Sequence, residues 1–275
     1  MADRQLTTLL TQLRTPSLPF PQSTTLLSKA KLLLLQLSAL TPSPTVPPAH
    51  LTLAREVYEL GALHSLRAKN PDSFTRYVSQ LQPFYELPPA SFPSPSQNQN
   101  KVTALWLLFL LTQGRYTEFH SDLEGLSTRA SVAEVESDRF LGYPIKLERW
   151  LMEGAYDRVW KAMKKGEVPS EEFGVLCEVL TPQIRREIAS SSERAYPNLP
   201  FLSAQSLLFL DSEGAVVDFA NSRGWIIKDR TIYFPTAAEL NSDEEGGGEQ
   251  EQEKEASQMV IENTLGYARQ LETIV

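Results

Sequence analysis

The sequence predicts a mainly α fold: helical hairpins stacked as repeats, then a winged-helix module, then a C-terminal helix. Three observations predict it. Leucines recur at helical spacing through much of the chain, two glycine–tyrosine turns stand 40 residues apart, and one β-rich stretch, RGWIIKDRTIYFP at 223–235, follows a run of helices.

The first element is set by Leu6, Leu9, Leu10 and Leu13, whose i, i+3, i+4, i+7 spacing is the stripe of an amphipathic helix facing a core. Thirteen of the 19 prolines precede residue 96, mostly in the clusters TPSLPFP, TPSPTVPP and LPPASFPSPS. Such clusters cannot continue a helix and therefore separate helical segments. Helices are predicted over 23–40, 49–68, 72–87, 99–113, 115–127, 145–163 and 170–195, with a kink or break at Pro182 in the last. The apolar runs LLLLQLSAL from Leu32 and ALWLLFLL from Ala104 fall short of the ~20 residues a membrane span needs, so they read as buried helices.

Gly114-Arg115-Tyr116 and Gly154-Ala155-Tyr156 each stand where one helix should end and the next begin. Glycine takes the left-handed conformation that closes a helix, and the tyrosine that follows can pack into the hairpin. Their period of 40 residues lies within the ~34 to 47 range of stacked helical repeats. Residues 1–196 are accordingly expected to form a helical-repeat domain.

From Tyr196 the pattern changes. Pro200-Phe201-Leu202 is expected as a short strand, Ser203 as the cap of a helix through Leu210, and Glu213 to Arg223 as a second helix before Trp225 opens the hairpin. Strand, helix, helix, strand, turn and strand make a winged helix over 197–238. Trp225, Ile227, Ile232 and Phe234 are the candidates for its buried faces, and the adjacent Ile226 leaves the register open. In DNA-binding versions the second helix enters the major groove with cationic or amide side chains. Here it reads EGAVVDFANSR, with Glu213 and Asp218 against a single Arg223, and with Val216, Val217 and Ala220 as core positions. The hairpin adds only Lys228 and Arg230. The expectation is therefore no nucleic-acid partner, and a small scaffold with a sheet edge open to proteins.

Charge supports a neutral body. Residues 239–255 hold eight acids and one lysine, and removing their -7 from the chain's -8 leaves -1 for the rest. That segment, with Gly246-Gly247-Gly248 among carboxylates, reads as a flexible acidic linker; it lacks the Lys-Ser/Thr of a phosphate loop. Beyond it, 256–275 is expected as a helix. Val260, Ile261, Leu265, Tyr267, Ala268, Leu271, Ile274 and Val275 fall in one arc of about 180°, wider than the ~100° stripe of a surface helix. These eight residues are the proposed partner-binding set. The alternative is that the helix folds back on its own helical body. An acidic cluster leading to a helix with alanine and, four places on, serine would suit a ubiquitin receptor; here Val260 follows Ala256 and Glu272 follows Ala268 at that distance.

No catalytic constellation emerges. His50, His64 and His120 form no metal-binding spacing, and Cys177 in VLCEVL reads as a buried thiol with no base in the nearby sequence. Glu148 and Glu153 in LERWLMEG read as carboxylates of a solvated helix face rather than an acid/base pair. One cysteine excludes an internal disulfide and fits a reducing compartment. The start, MADRQLTTLLTQLR, has no basic region followed by an apolar core, so no secretory signal is expected.

Helical repeats running into a winged helix resemble the PCI domain, found in scaffold subunits of the proteasome lid, the COP9 signalosome and translation initiation factor 3. LLTQGRYTEFHSDLE (110–124), PIKLERWLMEGAYDRVW (144–160), RGWIIKDRTIYF (223–234) and YARQLETIV (267–275) are, in that order, most similar to the proteasome-lid members. The resemblance implies a non-catalytic scaffold in a hetero-oligomer of cytoplasm and nucleus, without cofactor, metal or membrane contact. Its winged helix would join other PCI-domain lid subunits, and its last helix a bundle of the lid subunits' C-terminal helices. A COP9 signalosome subunit, an initiation factor 3 subunit or a nucleic-acid-binding PCI protein are the alternatives.

Overall fold

The computed structural model describes residues 2–15, 19–43, 46–87, 96–127, 131–164, 166–210 and 212–234. The expected acidic linker and the tail helix, with all eight proposed partner-binding residues from Val260 to Val275, lie outside them. Among the described residues there are twelve helices and one small sheet, so the fold is mainly α as the sequence predicts. The chain divides into two compact units, Met1–Arg185 and Arg186–Val275.

The first unit is built from helical hairpins. Helices α1 (Ala2–Leu13) and α2 (Phe20–Gln36) pack on one another and on α3 (Pro48–Arg67), which pairs with α4 (Pro71–Tyr85). Helix α5 (Gln99–Thr112) pairs with α6 (Tyr116–Ser127), and α8 (Gly142–Met152) with α9 (Tyr156–Met163). The leading helices stack in sequence, α3 on α5 and α5 on α8. The short α7 (Val132–Ser137) links α6 to α8, and α10 (Glu171–Ala195) follows. On α1, Leu6, Leu10 and Leu13 are buried and Leu9 is only half-buried.

The two glycine turns are the same structure. Gly114 and Gly154 have φ of 69° and 70°. Arg115 N–H reaches back to Leu110 O (3.0 Å) and Ala155 N–H to Trp150 O (2.8 Å), while the glycine amides bond to Leu111 O and Leu151 O. Carbonyls that the helix end would leave bare are thereby satisfied. Tyr116 and Tyr156 then open α6 and α9 as expected, and Phe119 and Val159, three residues later, are fully buried. A third copy joins α3 to α4: Lys69, at φ 55°, bonds to Leu66 O, and Asn70 N–H reaches Ser65 O at 3.0 Å. Because the turn residue is lysine, glycine spacing gives no sign of it.

Several expectations are corrected. The predicted helix over 145–163 is α8 and α9, split at the Gly154 turn. Helix α7 was not expected, although Ser131-Val132-Ala133-Glu134 is a capping box: Ser131 Oγ accepts from Glu134 N–H, and Glu134 Oε2 accepts from Ser131 N–H at 2.9 Å. Pro182 does not break α10, whose 25 residues run unbroken; Thr181 Oγ1 donates to Cys177 O within the same turn. The run from Leu32 is not wholly buried. Leu34 and Ala39 are in the core, but Leu32 and Leu35 are 61% and 59% exposed.

One buried carboxylate ties the repeats of this unit together. Glu172, near the start of α10, accepts from Arg67 of α3 (2.6 Å), Lys101 of α5 (3.0 Å) and Ser170 (2.7 Å). Burial opposes its charge most strongly, but the hydrogen bonds from Ser170, Lys101 and the backbone, with the charge of Lys101, together outweigh it and hold the pKa at about 2.

The second unit carries the winged helix. Its order is β1 (Asn198–Pro200), α11 (Phe201–Leu208), α12 (Glu213–Ser222), β2 (Ile226–Lys228) and β3 (Thr231–Tyr233), the sequence expected. The first strand begins two residues earlier than predicted, and the helix cap lies three residues earlier, at Pro200 rather than Ser203. Phe201 starts α11 after Pro200, whose fixed φ suits a helix entry, and Ser203 lies inside it. Ser212 caps α12, its Oγ accepting from Ala215 N–H. Val216 and Ala220 are fully buried, whereas Val217 is 37% exposed, contrary to its reading as core.

Candidate functional site

The sheet of the winged helix runs β1-β3-β2, all antiparallel. Asp229 and Arg230, at φ 48° and 57°, form the two-residue turn between β2 and β3, the mirror-image turn that matches strand twist. That turn fixes the register the sequence left open: Lys228 pairs with Thr231, Ile227 with Ile232 and Ile226 with Tyr233. Ile232, paired with Leu199 on its other side, is fully buried, and Ile227 is half-buried on the same face.

Side chains alternate across a strand, so Ile226 and Tyr233 point to the opposite face, where they are 48% and 41% exposed. Lys228 and Thr231 flank a two-residue turn and form a hydrogen-bonded pair; the next pair, Ile227–Ile232, is then not hydrogen-bonded, and the amide and carbonyl of Ile227 face away from β3. Among the described residues no strand pairs with that side of β2. The module thus presents an open strand edge beside an exposed aliphatic–aromatic pair. An extended segment can add to such an edge through main-chain hydrogen bonds.

The support under this face is aromatic. Trp225 is buried, meets Phe234 at 4.9 Å and Phe219 at 5.6 Å between ring centroids, and donates from Nε1 to Glu193 Oε1 at 2.7 Å. Arg223 also binds Glu193 (3.0 Å), and it donates to Ser190 Oγ. The sole cation in the predicted α12 stretch is therefore engaged within its own unit, while Glu213 and Asp218 stand exposed on α12. Lys228 and Arg230 are exposed near the hairpin tip, beside Asp229.

The candidate catalytic residues are dispersed. His50 lies 3.2 Å from Asp3, His120 lies 3.3 Å from Glu148, and the buried His64 meets Leu13 O at 2.9 Å. Cys177 is buried, 3.3 Å from Tyr143 Oη, and burial pushes its thiol pKa up, which makes a thiolate harder to form. Glu153 is exposed beside the Gly154 turn, while Glu148 faces His120. Among the described residues no group of histidine, cysteine and carboxylate side chains could hold a metal ion, and no helix is long and apolar enough to cross a membrane.

Sequence reasoning placed Trp225, Ile232 and Phe234 correctly in the core but missed the exposed Ile226–Tyr233 pair. Alternation along the strand would have identified it once either isoleucine was assigned to the core.

A profile of the CSN8/PSMD8/EIF3K family matches residues 97–245. The chain is 36% identical over 225 residues to the 26S proteasome regulatory subunit RPN12 of Saccharomyces cerevisiae, covering 82% of this chain and 80% of the relative. It is 34% identical to 26S proteasome regulatory subunit rpn12 of Schizosaccharomyces pombe, covering 83% and 82%. With the 26S proteasome non-ATPase regulatory subunit 8 homolog A of Arabidopsis thaliana it shares 33% identity over 256 residues, covering 91% and 89%.

Proposed function

This chain belongs to the CSN8/PSMD8/EIF3K family, and from that premise we propose that it is a non-catalytic scaffold subunit of the 26S proteasome regulatory particle, seated in its lid and serving ubiquitin-dependent protein degradation. One observation carries the reading. Relatives named as proteasome regulatory subunits match along about four-fifths or more of both chains, so the likeness extends well beyond one shared module.

The winged helix supports the reading with an open strand edge and exposed Ile226 and Tyr233, which suit a neighbouring PCI-type subunit. The second contact is the tail. Its 180° apolar arc, from Val260 to Val275, suits a bundle of several helices, because a helix apolar on half its circumference needs cover on more than one side. Scaffolding of this kind needs no cofactor, metal or nucleic acid. Its site of action is that of the particle, in cytoplasm and nucleus.

The test is recovery of the epitope-tagged chain from its own cells at near-physiological salt, followed by size separation and mass spectrometry. The expected result is co-migration with the full set of proteasome regulatory subunits. Recovery as a free chain, or with the COP9 signalosome or initiation factor 3 instead, would overturn it. Deleting 256–275 should prevent incorporation while leaving the melting temperature of the isolated chain nearly unchanged. A truncation that is strongly destabilised yet still incorporated would assign the tail to the chain's own body.

A further inference from the structure

The helical unit carries a groove that the reading above leaves unused. Its walls are α4 and α6, the second helices of two successive hairpins, and its floor is α5; it holds about 430 Å³. Val78, Val102, Trp106 and Leu126 give it an apolar base, while Glu86 on one wall and Glu118 and Asp122 on the other stand exposed at the rim. No lysine, arginine or histidine belongs to the lining. Glu118 is paired with Arg115. Asp122 accepts from Trp106 Nε1 at 2.7 Å, a neutral donor that fixes the carboxylate beside the indole without cancelling its charge. Among the described residues neither Asp122 nor Glu86 forms an ion pair, so each wall carries one unanswered negative charge.

We infer that the α4–α6 groove is a docking site for a cationic segment of another polypeptide, one that lays an apolar side chain on the base and sets lysine or arginine against Glu86 and Asp122. Charge decides the occupant. Two unanswered carboxylates on opposite walls of an apolar trough repel an acidic segment and attract a basic one. Arginine suits the site twice over, since a guanidinium pairs with a carboxylate and also stacks on an indole such as Trp106. This chain's own segments outside the described residues do not meet the requirement. Residues 235–275 hold ten aspartates and glutamates against Lys254 and Arg269, so their net charge is 2 minus 10, or -8. Residues 88–95, PPASFPSP, hold no charge. Residues 128–130 bring one cation, Arg129, on a link whose reach of about 10 Å is shorter than the roughly 12 Å from Glu118 to Leu126 along α6. The only other cationic side chain outside the described residues is that of Lys165, a single residue between α9 and α10. A second copy meeting this one through the same groove would bring carboxylate to carboxylate and be repelled.

The inference rests on the reading that the chain works inside a hetero-oligomer, and the experiment separates the two. Benzoylphenylalanine is placed at Gln82, an exposed residue of the lining, in the full-length chain, with the exposed Thr25 of α2 as the control site. The assembled particle is irradiated, and the cross-linked peptides are sequenced by mass spectrometry. A product should form at Gln82 with a segment of a different subunit that carries lysine or arginine close to an apolar residue. Glu86→Lys combined with Asp122→Asn, which keeps an acceptor for Trp106, should cut that product roughly tenfold. Glutamate in place of the partner's cation should do the same in the parent and restore the product in the variant, a rescue that packing alone does not give. Both substituted residues are exposed, so the melting temperature of the isolated chain should shift by less than about 4 °C. A product with residues 88–95, 128–130 or 235–275 of this chain, with a second copy, or with a segment lacking lysine and arginine would overturn the inference. So would a yield no higher than at Thr25 or indifferent to the charge changes, even in a fully assembled particle. A chain found in another complex would refute the proposed function alone, and the same cross-link would decide the groove there; a chain found only as a monomer would refute both.

Discussion

Helices α2 and α5 carry similar sequences, LLLLQ and ALWLLFLL, yet one shows its leucines to solvent and the other shows none. Helix α5 packs against α3, α4, α6 and α8, and Val102, Ala104, Leu105 and Leu107 through Leu111 are all buried. Helix α2 packs on α1 and α3, and buries Leu27, Ala30 and Leu34 while Leu32 and Leu35 stay outside. Hydropathy alone does not decide burial here; the number of neighbours in the stack does. Among the described residues, the leucine run with helices on several sides is core, and the run packed on fewer helices is partly surface.

The largest effect that sharpens this contrast is a cavity in α5. Leu108 is fully buried, so Leu108→Ala should lower stability by about 2–5 kcal/mol, read from the urea midpoint at constant slope. A cost below about 1 kcal/mol would mean that α5 is not the packed centre of its unit.

Next in size is the anchor of α5 through Lys101 to Glu172. The folded pKa of Glu172, about 2, lies below its ordinary value. Its contribution is therefore fully present above the unfolded pKa near 4.5 and is lost as pH falls toward 2. A shift of this size corresponds to roughly 3 kcal/mol. Glu59, on α3, works in the opposite sense: desolvation pushes its pKa up despite hydrogen bonds from Ser96 and Tyr85. Glu172→Gln isolates the first from the second. The stability difference between parent and variant should be largest above pH 5 and shrink steadily toward pH 2; a difference that does not vary with pH would show that the carboxylate charge is not what binds Arg67 and Lys101.

The ends of the two helices offer a finer comparison. Both close with the same left-handed turn, using Gly114 after α5 (φ 69°) and Ser38 after α2 (φ 53°). A Cβ at Gly114 would meet nothing within 4 Å, so the cost of Gly114→Ala is conformational, about 1–2 kcal/mol. Ser38→Gly should act the other way and gain less than about 1 kcal/mol, since glycine relieves the strain but adds freedom to the unfolded chain. Thermal midpoints of both variants check the pair; a destabilising Ser38→Gly would mean that the serine side chain holds the turn.

These turns also show how much of the fold was legible in the sequence. Glycine marks a left-handed residue, and so Gly114, Gly154 and the hairpins they close could be read directly. Lys69, Ser38 and Phe209 take the same conformation with a side chain attached, because the packing of the flanking helices fixes the turn, and nothing local in the sequence announces that. The strand–helix–helix–hairpin order of the winged helix was readable for a similar reason: Trp225, Ile232 and Phe234 are large, apolar and close together, and all are buried. What could not be read was exposure. Val217, Ile226, Leu32 and Leu35 look like core residues and are surface residues, because burial depends on neighbours that one chain's sequence does not specify. Of these residues, Ile226 belongs to the candidate protein-binding face.

The smallest effect tests the exposure of Leu32. Leucine and glutamine have nearly equal helix propensity, so Leu32→Gln changes side-chain burial with little change in backbone preference. With Leu32 61% exposed, at most about two-fifths of the ~1.5–3 kcal/mol for burying a leucine is at stake, which puts the expected loss near or below 1 kcal/mol. The urea midpoint of the isolated chain should therefore move several-fold less than in Leu108→Ala. If Leu32→Gln instead destabilised the isolated chain as strongly as the α5 cavity, Leu32 would already be covered by the chain itself.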